Sequence, residues 1–190
     1  MNYHVNIYNN TGKLAYFRRQ REANRIGAIC YVEQHFNSGS DSADYGMVLT
    51  APKPSAMTLA LATAYTAALR RSCKIGLFYG PVPEAPGVLP GGFNGRGMGN
   101  LRWLKIPGIL VEPIFVSNAV QARWLKVEGV PLLARTLNIA IRKTFPDGGI
   151  VAFSVGHVPP DPGAKIVNGG WEHDWAIKVL KTAKVLLEDA

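Results

Sequence analysis

Cysteine and long apolar runs are both scarce in this chain of 190 residues. The two cysteines, Cys30 and Cys73, lie among apolar neighbours and lack the spacing of a metal or disulfide motif, so we expect buried free thiols. No apolar run approaches the ~20 residues that a membrane-spanning helix needs, so we expect no insertion into a membrane. The opening Met1-Asn-Tyr-His4 shows neither the basic stretch nor the apolar run of a secretory signal.

Acidic residues are also few: 13 aspartates and glutamates stand against 21 lysines and arginines, which gives a formal charge of +8. Such an excess attracts polyanions, and nucleic acid is one class of them. The basic residues do not form a stripe with interleaved aromatic residues, so the pattern disfavours nucleic acid as a partner. The length suits one domain, and a hydrophobic content of 47% is enough for a full core.

Apolar strand-like runs alternate with helix-like segments along the chain. This alternation predicts an α/β fold, in which a mostly parallel sheet has helices on both faces. Strands are predicted at 5–8, 28–35, 46–50, 109–112 and 150–155, and helices at 15–26, 54–73, 132–145 and 175–188. The chain has no internal repeat and no low-complexity tract, which agrees with one domain.

The segment 76–100 is the exception, because four prolines and eight glycines rule out a helix there. Long segments without regular structure are often functional. This one precedes the strand that ends at Glu112, so it is a candidate wall of a substrate groove, with Arg96, Arg102 and Lys105 available for carboxylates. A plain connector between a helix and a strand is an equally good interpretation.

Four residues with metal or acid–base chemistry stand at the ends of these predicted elements. His35 and Glu112 each end a strand-like run, His157 follows the run 150–155, and Glu172 begins a helix-like segment after a proline- and glycine-rich loop. Two histidines and a carboxylate are a common ligand set for zinc, and a second carboxylate can act as general base. Each residue alone has a simpler interpretation: a hydrogen-bonded structural histidine, or a carboxylate paired with an arginine.

Taken together, the blocks around these residues resemble the zinc-dependent N-acetylmuramoyl-L-alanine amidases, which hydrolyse peptidoglycan. That family has Asp-Pro-Gly-His-Gly-Gly, then Asp-x-Gly-Ala and a glutamate, Arg-x-x-x-Ala-Asn, Ser-x-His-x-Asn, and Leu-x-Glu-x-x-Phe-x-Ser-Asn. The corresponding blocks here are His157, Asp161-Pro-Gly-Ala164 and Glu172, Arg19-Gln-Arg-Glu-Ala-Asn24, His35-Phe-Asn37, and Leu110-Val-Glu-Pro-Ile-Phe-Val-Ser-Asn118. The resemblance covers nearly the whole chain.

The family's first block comes last in this chain, so we expect a circular permutation. Joining Ala190 to Met1 would connect the predicted helix 175–188 to the strand 5–8, and Pro146-Asp-Gly-Gly149 would lie at the family's usual termini. Permutation is tolerated where termini are exposed and close together. The resemblance then implies a single catalytic domain, 1–190, whose family N-terminal block lies at 150–190.

The resemblance implies that His35, His157 and Glu172 bind Zn²⁺ and that Glu112 is the catalytic general base. Three protein ligands leave zinc an open position, where the pKa of a bound water falls toward ~7. The implied substrate is the amide bond between N-acetylmuramic acid and L-alanine. A phage lysin, synthesised in the cytoplasm without a signal and acting at the bacterial cell wall, is the favoured role, and an autolysin is the other.

Two further functions remain open: a wall-binding module that has lost catalysis, and a zinc amidase that acts on soluble muropeptides. The loop Val158-Pro-Pro160 replaces the glycines that follow the family's first histidine, which could narrow the groove. Glu33 is expected to support the site or to lie on the surface, and His173 to be exposed or supporting. Arg19, Asn24, Asn37 and Asn118 are expected to hold loops in place. No oligomeric state is predicted.

Overall fold

A seven-stranded sheet forms the centre of the fold. The computed structural model describes residues 2–11, 14–92, 95–167 and 169–189. The strands are β1 (Tyr3–Tyr8), β2 (Cys30–Gln34), β3 (Tyr45–Thr50), β4 (Gly76–Leu77), β5 (Val88–Pro90), β6 (Gly108–Glu112) and β7 (Gly149–Val155). The α-helices are α1 (Ala15–Arg25), α2 (Ala56–Ala68), α3 (Ala119–Trp124), α4 (Val130–Thr144) and α5 (Glu172–Glu188).

The strands lie in the order β1-β7-β2-β6-β3-β4, with β5 beside β3. Strands β1, β7, β2 and β6 are mutually parallel, whereas β3 is antiparallel to β6. Every residue of β2 is buried, as expected for a central strand with covered faces. The predicted α/β fold with a mostly parallel sheet is confirmed.

Helices cover both faces of the sheet, as the sequence predicts. On one face α4 lies between α2 and α5, and their apolar side chains pack on strand residues such as Val32, Val111 and Phe153. On the other face, α1 and the segment between β5 and β6 cover a second cluster that includes Tyr31 and Leu110. Successive strand residues point to opposite faces, so Tyr31 and Val32 belong to different layers.

Helix α5 begins at Glu172, so a carboxylate stands in its first turn. Asp174 in the same turn accepts a hydrogen bond from the backbone N–H of Trp171 at 3.1 Å. Acidic residues are favourable there because the N-terminal end of a helix is partly positive. Five apolar residues at helical spacing are buried against the sheet and fix the helix in place: Ala176, Val179, Leu180, Ala183 and Leu187.

Two predicted segments differ from the structure. The predicted helix 54–73 changes, after α2, into a π-helical turn at Leu69–Cys73. The segment 76–100 contains β4, β5 and a 3-10 turn at Met98–Asn100; strands of two or three residues are too short to leave a pattern in a sequence. Phe93 and Asn94 of this segment lie outside the described residues.

The last helix and the first strand are neighbours in space. The backbone N–H of Val5 donates to Glu188 Oε1 at 2.8 Å, and Lys184 Nζ donates to the carbonyl of Val5 at 2.6 Å. Met1 and Ala190, which the expected permutation joins, lie outside the described residues. Among the helices that the structure describes, none combines the length and the apolar character needed to cross a membrane.

Candidate metal centre and catalytic groove

The four predicted site residues line one groove of about 600 Å³. His35 directly follows β2, Glu112 is the last residue of β6, and His157 lies two residues beyond β7. These strands are parallel neighbours, so their carboxyl ends meet at one edge of the sheet, which is where α/β folds commonly bind ligands. Glu172 reaches the same edge from the start of α5.

His35, His157 and Glu172 converge closely enough to bind one metal ion. His35 Nδ1 is 3.1 Å from Glu172 Oε1, and His157 Nε2 is 3.5 Å from Glu172 Oε2. One ligand atom from each residue lies within 4.8 Å of the others. A tetrahedral zinc ion with bonds of about 2.1 Å holds its ligands roughly 3.4 Å apart, so these spacings suit such an ion.

Each histidine also meets a second carboxylate on its other ring nitrogen. His35 Nε2 lies 2.8 Å from Glu33 Oε1, and His157 Nδ1 lies 3.1 Å from Asp161 Oδ2. Histidines that bind metals usually donate their second N–H to such a group, which fixes the ring and its tautomer. This arrangement leaves His35 Nδ1 and His157 Nε2 facing Glu172.

The sequence left two places open for Glu33, support of the site or the surface, and the structure has the first. Glu33 is fully buried, so the expectation that it could lie on the surface is wrong. One signal for it was present: Glu33 and His35 are two positions apart on a strand and therefore point to the same face. The second was a carboxylate in an otherwise apolar strand, where an unpaired charge is rare.

Glu172 is held as a carboxylate. The backbone N–H of Phe36 donates to its Oε1 at 3.0 Å, and that of Ala164 donates to its Oε2 at 3.1 Å. Burial alone would raise the pKa of Glu172, but its hydrogen bond with His35 and the charges of both histidines leave that pKa below its usual value. An ionised carboxylate is the form that binds a cation.

His35 holds a proton strongly between two carboxylates. Burial alone would lower its pKa, but hydrogen bonds with Glu172 and Glu33 raise the pKa of His35 to about 10. A metal-binding histidine must give up the proton on its ligand nitrogen, so a cation at this site would take the place of that proton. The same carboxylates that attract the proton also attract the cation.

Two glycines allow the loop of His157 to approach the other ligands. A Cβ on Gly156 would lie 2.5 Å from the carbonyl oxygen of Gln34 and 2.6 Å from the ring of His35. A Cβ on Gly163 would lie 2.7 Å from Glu172 Oε2, and its φ of +78° favours glycine in any case. A larger residue at either position would displace a candidate ligand.

The backbone of His157 is held in an uncommon conformation. Its φ is 52°, in the left-handed region that residues other than glycine seldom adopt. Its N–H donates to the Tyr16 hydroxyl at 3.1 Å, and His173 Nδ1 donates to its carbonyl at 2.7 Å. His173 therefore supports the site, which is one of the two places expected for it. It does so by a hydrogen bond to the backbone of His157.

Glu112 lines the groove close to the two histidines. Burial raises the pKa of Glu112, and the charge of Glu172 raises it further. The charges of His35, Arg96 and His157 lower this pKa, but the net shift is upward. Among the ion pairs of the described residues, none involves Glu112, so its carboxylate is not committed to an arginine. A carboxyl with a raised pKa suits proton transfer near neutral pH.

The three basic residues proposed for the groove have different surroundings. Arg96 lines the groove with the candidate ligands. The guanidinium of Arg102 lies over the ring of Trp103, at 5.3 Å from its centroid, and Lys105 borders a separate depression near Pro107. Arg96 is therefore the one of the three that the structure places beside Glu112.

The remaining residues of the family motifs hold loops in place. Arg19 is buried, and its Nη1 donates to the carbonyl of Val155 at 2.6 Å. Asn24 Nδ2 donates to the carbonyl of Trp103 at 2.8 Å. Asn37 Oδ1 accepts from the next N–H at 2.9 Å, and Asn118 Oδ1 caps α3 by accepting from its first turn.

No protein-family model and no curated protein matches the chain. Solved structures do match it. An N-acetylmuramoyl-L-alanine amidase from Clostridium difficile 630 matches with a TM-score of 0.58 at 18% identity, over 70% of this chain and 66% of that one. The amidase Ami1 from Mycobacterium smegmatis matches with 0.60 at 20%, over 71% and 62%.

A third structure, the CwlD amidase from Clostridioides difficile in complex with the GerS lipoprotein, matches with a TM-score of 0.53 at 22% identity, over 73% of this chain and 67% of that one. The chain spans less than two thirds of the length of the first two chains. At these identities the likeness establishes the fold: the chain has the α/β fold found in N-acetylmuramoyl-L-alanine amidases.

Proposed function

We propose that this chain is a zinc-dependent N-acetylmuramoyl-L-alanine amidase, which cleaves the amide between N-acetylmuramic acid and L-alanine in peptidoglycan. One observation carries the proposal: His35, His157 and Glu172 converge beside Glu112 at the edge of an amidase-like sheet. Neighbours with this fold are named as amidases of that bond. The sequence motifs around the same residues support the same substrate.

The donor set fits zinc better than the harder cations. Two imidazole nitrogens and one carboxylate are donors that zinc prefers, whereas calcium and magnesium prefer sites made of oxygen atoms alone. Glu172 is held ionised, and Glu33 and Asp161 orient the two rings. A set of two histidines and one glutamate also leaves the open position that catalytic zinc sites require.

Glu112 would move the proton of the reaction. A zinc ion at this site would supply Lewis-acid activation of a water molecule and of the scissile carbonyl. The carboxylate of Glu112 accepts a proton from the attacking water and donates it to the leaving amine, which is general base and then general acid catalysis.

The groove and the charge of the protein suit an anionic wall polymer. Arg96 lines the groove beside Glu112 and could pair with a carboxylate of the stem peptide. The formal charge of +8 favours approach to the anionic bacterial cell wall. We therefore favour a lysin or autolysin that acts at the wall.

We also propose that the amidase blocks are circularly permuted here. The contacts of Val5 with Glu188 and Lys184 place α5 beside β1, so a short linker could make one helix-to-strand unit of them. A chain rearranged to begin at Pro146, with Ala190 linked to Met1, should then fold and bind zinc like the original. A rearranged chain that stays unfolded while the original folds would contradict the permutation.

The activity is tested with purified protein and bacterial sacculi. We expect release of new N-terminal L-alanine, and loss of this release in Glu112→Gln with zinc still bound. The exposed Glu84→Gln is the control, because it changes a carboxylate outside the groove. Glu112→Gln with full activity would contradict the role of Glu112.

Other outcomes would identify the alternative functions. Sedimentation with sacculi without any released peptide would indicate a wall-binding module. Cleavage of soluble muropeptides but not of sacculi would indicate a different substrate. Anomalous scattering at the zinc edge should give a peak between His35, His157 and Glu172, and a peak elsewhere would overturn the ligand assignment.

A further inference from the structure

Glu33 is a buried carboxylate at the centre of a hydrogen-bond network behind the candidate metal site. None of the surface of Glu33 is exposed to solvent (0%). Its Oε1 faces His35 Nε2 at 2.8 Å and accepts a hydrogen bond from Asn100 Nδ2. Its Oε2 accepts from the Tyr31 hydroxyl at 2.7 Å and from the Ser154 hydroxyl at 3.0 Å. Both oxygen atoms thus have two partners each.

The partners of Glu33 come from separate parts of the sheet edge. Tyr31 lies in β2, and His35 directly follows that strand. Ser154 lies in β7, and Asn100 ends the 3-10 turn before β6. Behind them, Arg19 Nη1 donates to Ser154 Oγ at 3.0 Å, which brings a buried guanidinium into the network. The position of Glu33 is therefore fixed from several sides.

The chemistry of these partners determines the tautomer of His35. An ionised carboxylate accepts hydrogen bonds and donates none, so a neutral His35 must keep its proton on Nε2 to bond to Glu33. Its lone pair is then on Nδ1, the atom that lies 3.1 Å from Glu172 Oε1. A neutral imidazole has only one such free nitrogen.

We propose that Glu33 is a positioning residue that sets the tautomer and orientation of His35 and so strengthens metal binding at the site. The inference rests on the proposed zinc-dependent function. The amidase motif Ser-x-His-x-Asn has a serine at the place of Glu33, so this chain has a carboxyl group where a hydroxyl is expected. A charged acceptor makes the imidazole a more basic ligand than a neutral acceptor does.

Asp161 provides the internal comparison, because it meets the other histidine from the solvent side. Its side chain is 77% exposed, whereas that of Glu33 is 0% exposed. Solvent and salt weaken the interaction of an exposed carboxylate, whereas a buried one is screened much less. Glu33 should therefore matter more than Asp161 for metal binding.

The first test measures the dissociation constant of Zn²⁺ by competition with a chelator, at one pH, for the wild type and four variants. Loss of an outer partner of a metal ligand costs about 10–100-fold in affinity, and we expect this for Glu33→Gln and Glu33→Ser. Asp161→Asn should show a smaller loss, and Glu84→Gln none. A change below about threefold in both Glu33 variants would overturn the inference.

The second test uses protein in which Glu33 is unchanged. In ¹⁵N-histidine NMR spectra of the zinc-loaded wild type, His35 should bind through Nδ1 and carry its proton on Nε2, with the signal assigned by its loss in His35→Gln. Zinc bound through Nε2 would overturn the inference even if the Glu33 variants did not fold. A wild type that binds no zinc would instead contradict the proposed function, so the two failures are distinguishable.

Discussion

Gly156→Ala is the substitution that most directly tests how closely the candidate ligands are packed. Gly156 joins β7 to His157, and it needs no special backbone angle, so space is the sole obstacle to a side chain there. The added Cβ would lie 2.6 Å from the ring of His35 and 2.5 Å from the carbonyl oxygen of Gln34. Ordinary contacts between such atoms begin near 3.4 Å.

The size of the effect follows from these distances. To restore an ordinary contact, the ring of His35 and the loop must separate by about 0.8 Å, and a misplacement of about 1 Å can cost 10²-fold in rate. We therefore expect a fall of about 100-fold in kcat/KM on sacculi, together with weaker zinc binding. Overpacking should cost about 1–3 kcal/mol of unfolding free energy, which leaves a folded protein.

The matched control is Gly76→Ala, where the nearest atom to an added Cβ is a backbone oxygen 3.9 Å away. Gly76 lies in β4, outside the groove, and it should keep both activity and zinc affinity. Activity on sacculi, zinc competition and thermal unfolding would be measured on both variants. Wild-type zinc affinity and activity in Gly156→Ala would refute the packing argument.

Three further predictions use other parts of the site. Chelation should abolish release of L-alanine, and zinc at about 100 times its dissociation constant should restore it and stabilise the fold by about 2.7 kcal/mol in thermal unfolding. Arg19→Met should lower the free energy of unfolding by about 3 kcal/mol, because the carbonyls of Val155 and Asn10 lose a buried donor; an unchanged melting temperature would contradict this. Burial raises the pKa of Glu112, so in protein stripped of zinc by a chelator its carboxyl should titrate at a higher pH than a free glutamate, as followed by ¹³C NMR with Glu112→Gln to assign the signal; a midpoint at or below that of free glutamate would contradict this.

The positions of the candidate ligands could be predicted because they depend on strand ends. Apolar runs before His35, Glu112 and His157 predict parallel strands, and parallel strands bring their carboxyl ends to one edge. The sequence motifs then identified which residues at that edge belong together. The structure brings these three residues and Glu172 into one groove.

The features that could not be predicted depend on contacts between distant segments. The strands β4 and β5 exist because they pair with β3, and neither is long enough to show a periodic pattern of its own. The π-helical turn at Leu69–Cys73 likewise has no signal in its sequence, which is compatible with an ordinary α-helix. The sequence could not decide between support and surface for Glu33, because the family motif has a serine there and because its donors Ser154 and Asn100 are distant in sequence.

The sheet order also determines which segments must be docked for the site to be complete. Strand β7 lies between β1 and β2, and the segment from β7 to α5 carries His157 and Glu172. Without this segment docked, His35 and Glu33 would lack Glu172 and Ser154 as partners. Metal affinity is thus linked to the docking of β7 and α5, because a site that exists only in the folded state adds its binding free energy to folding. A zinc ion held by His35, His157 and Glu172 would therefore stabilise the contact between β2 and the segment that carries β7 and α5.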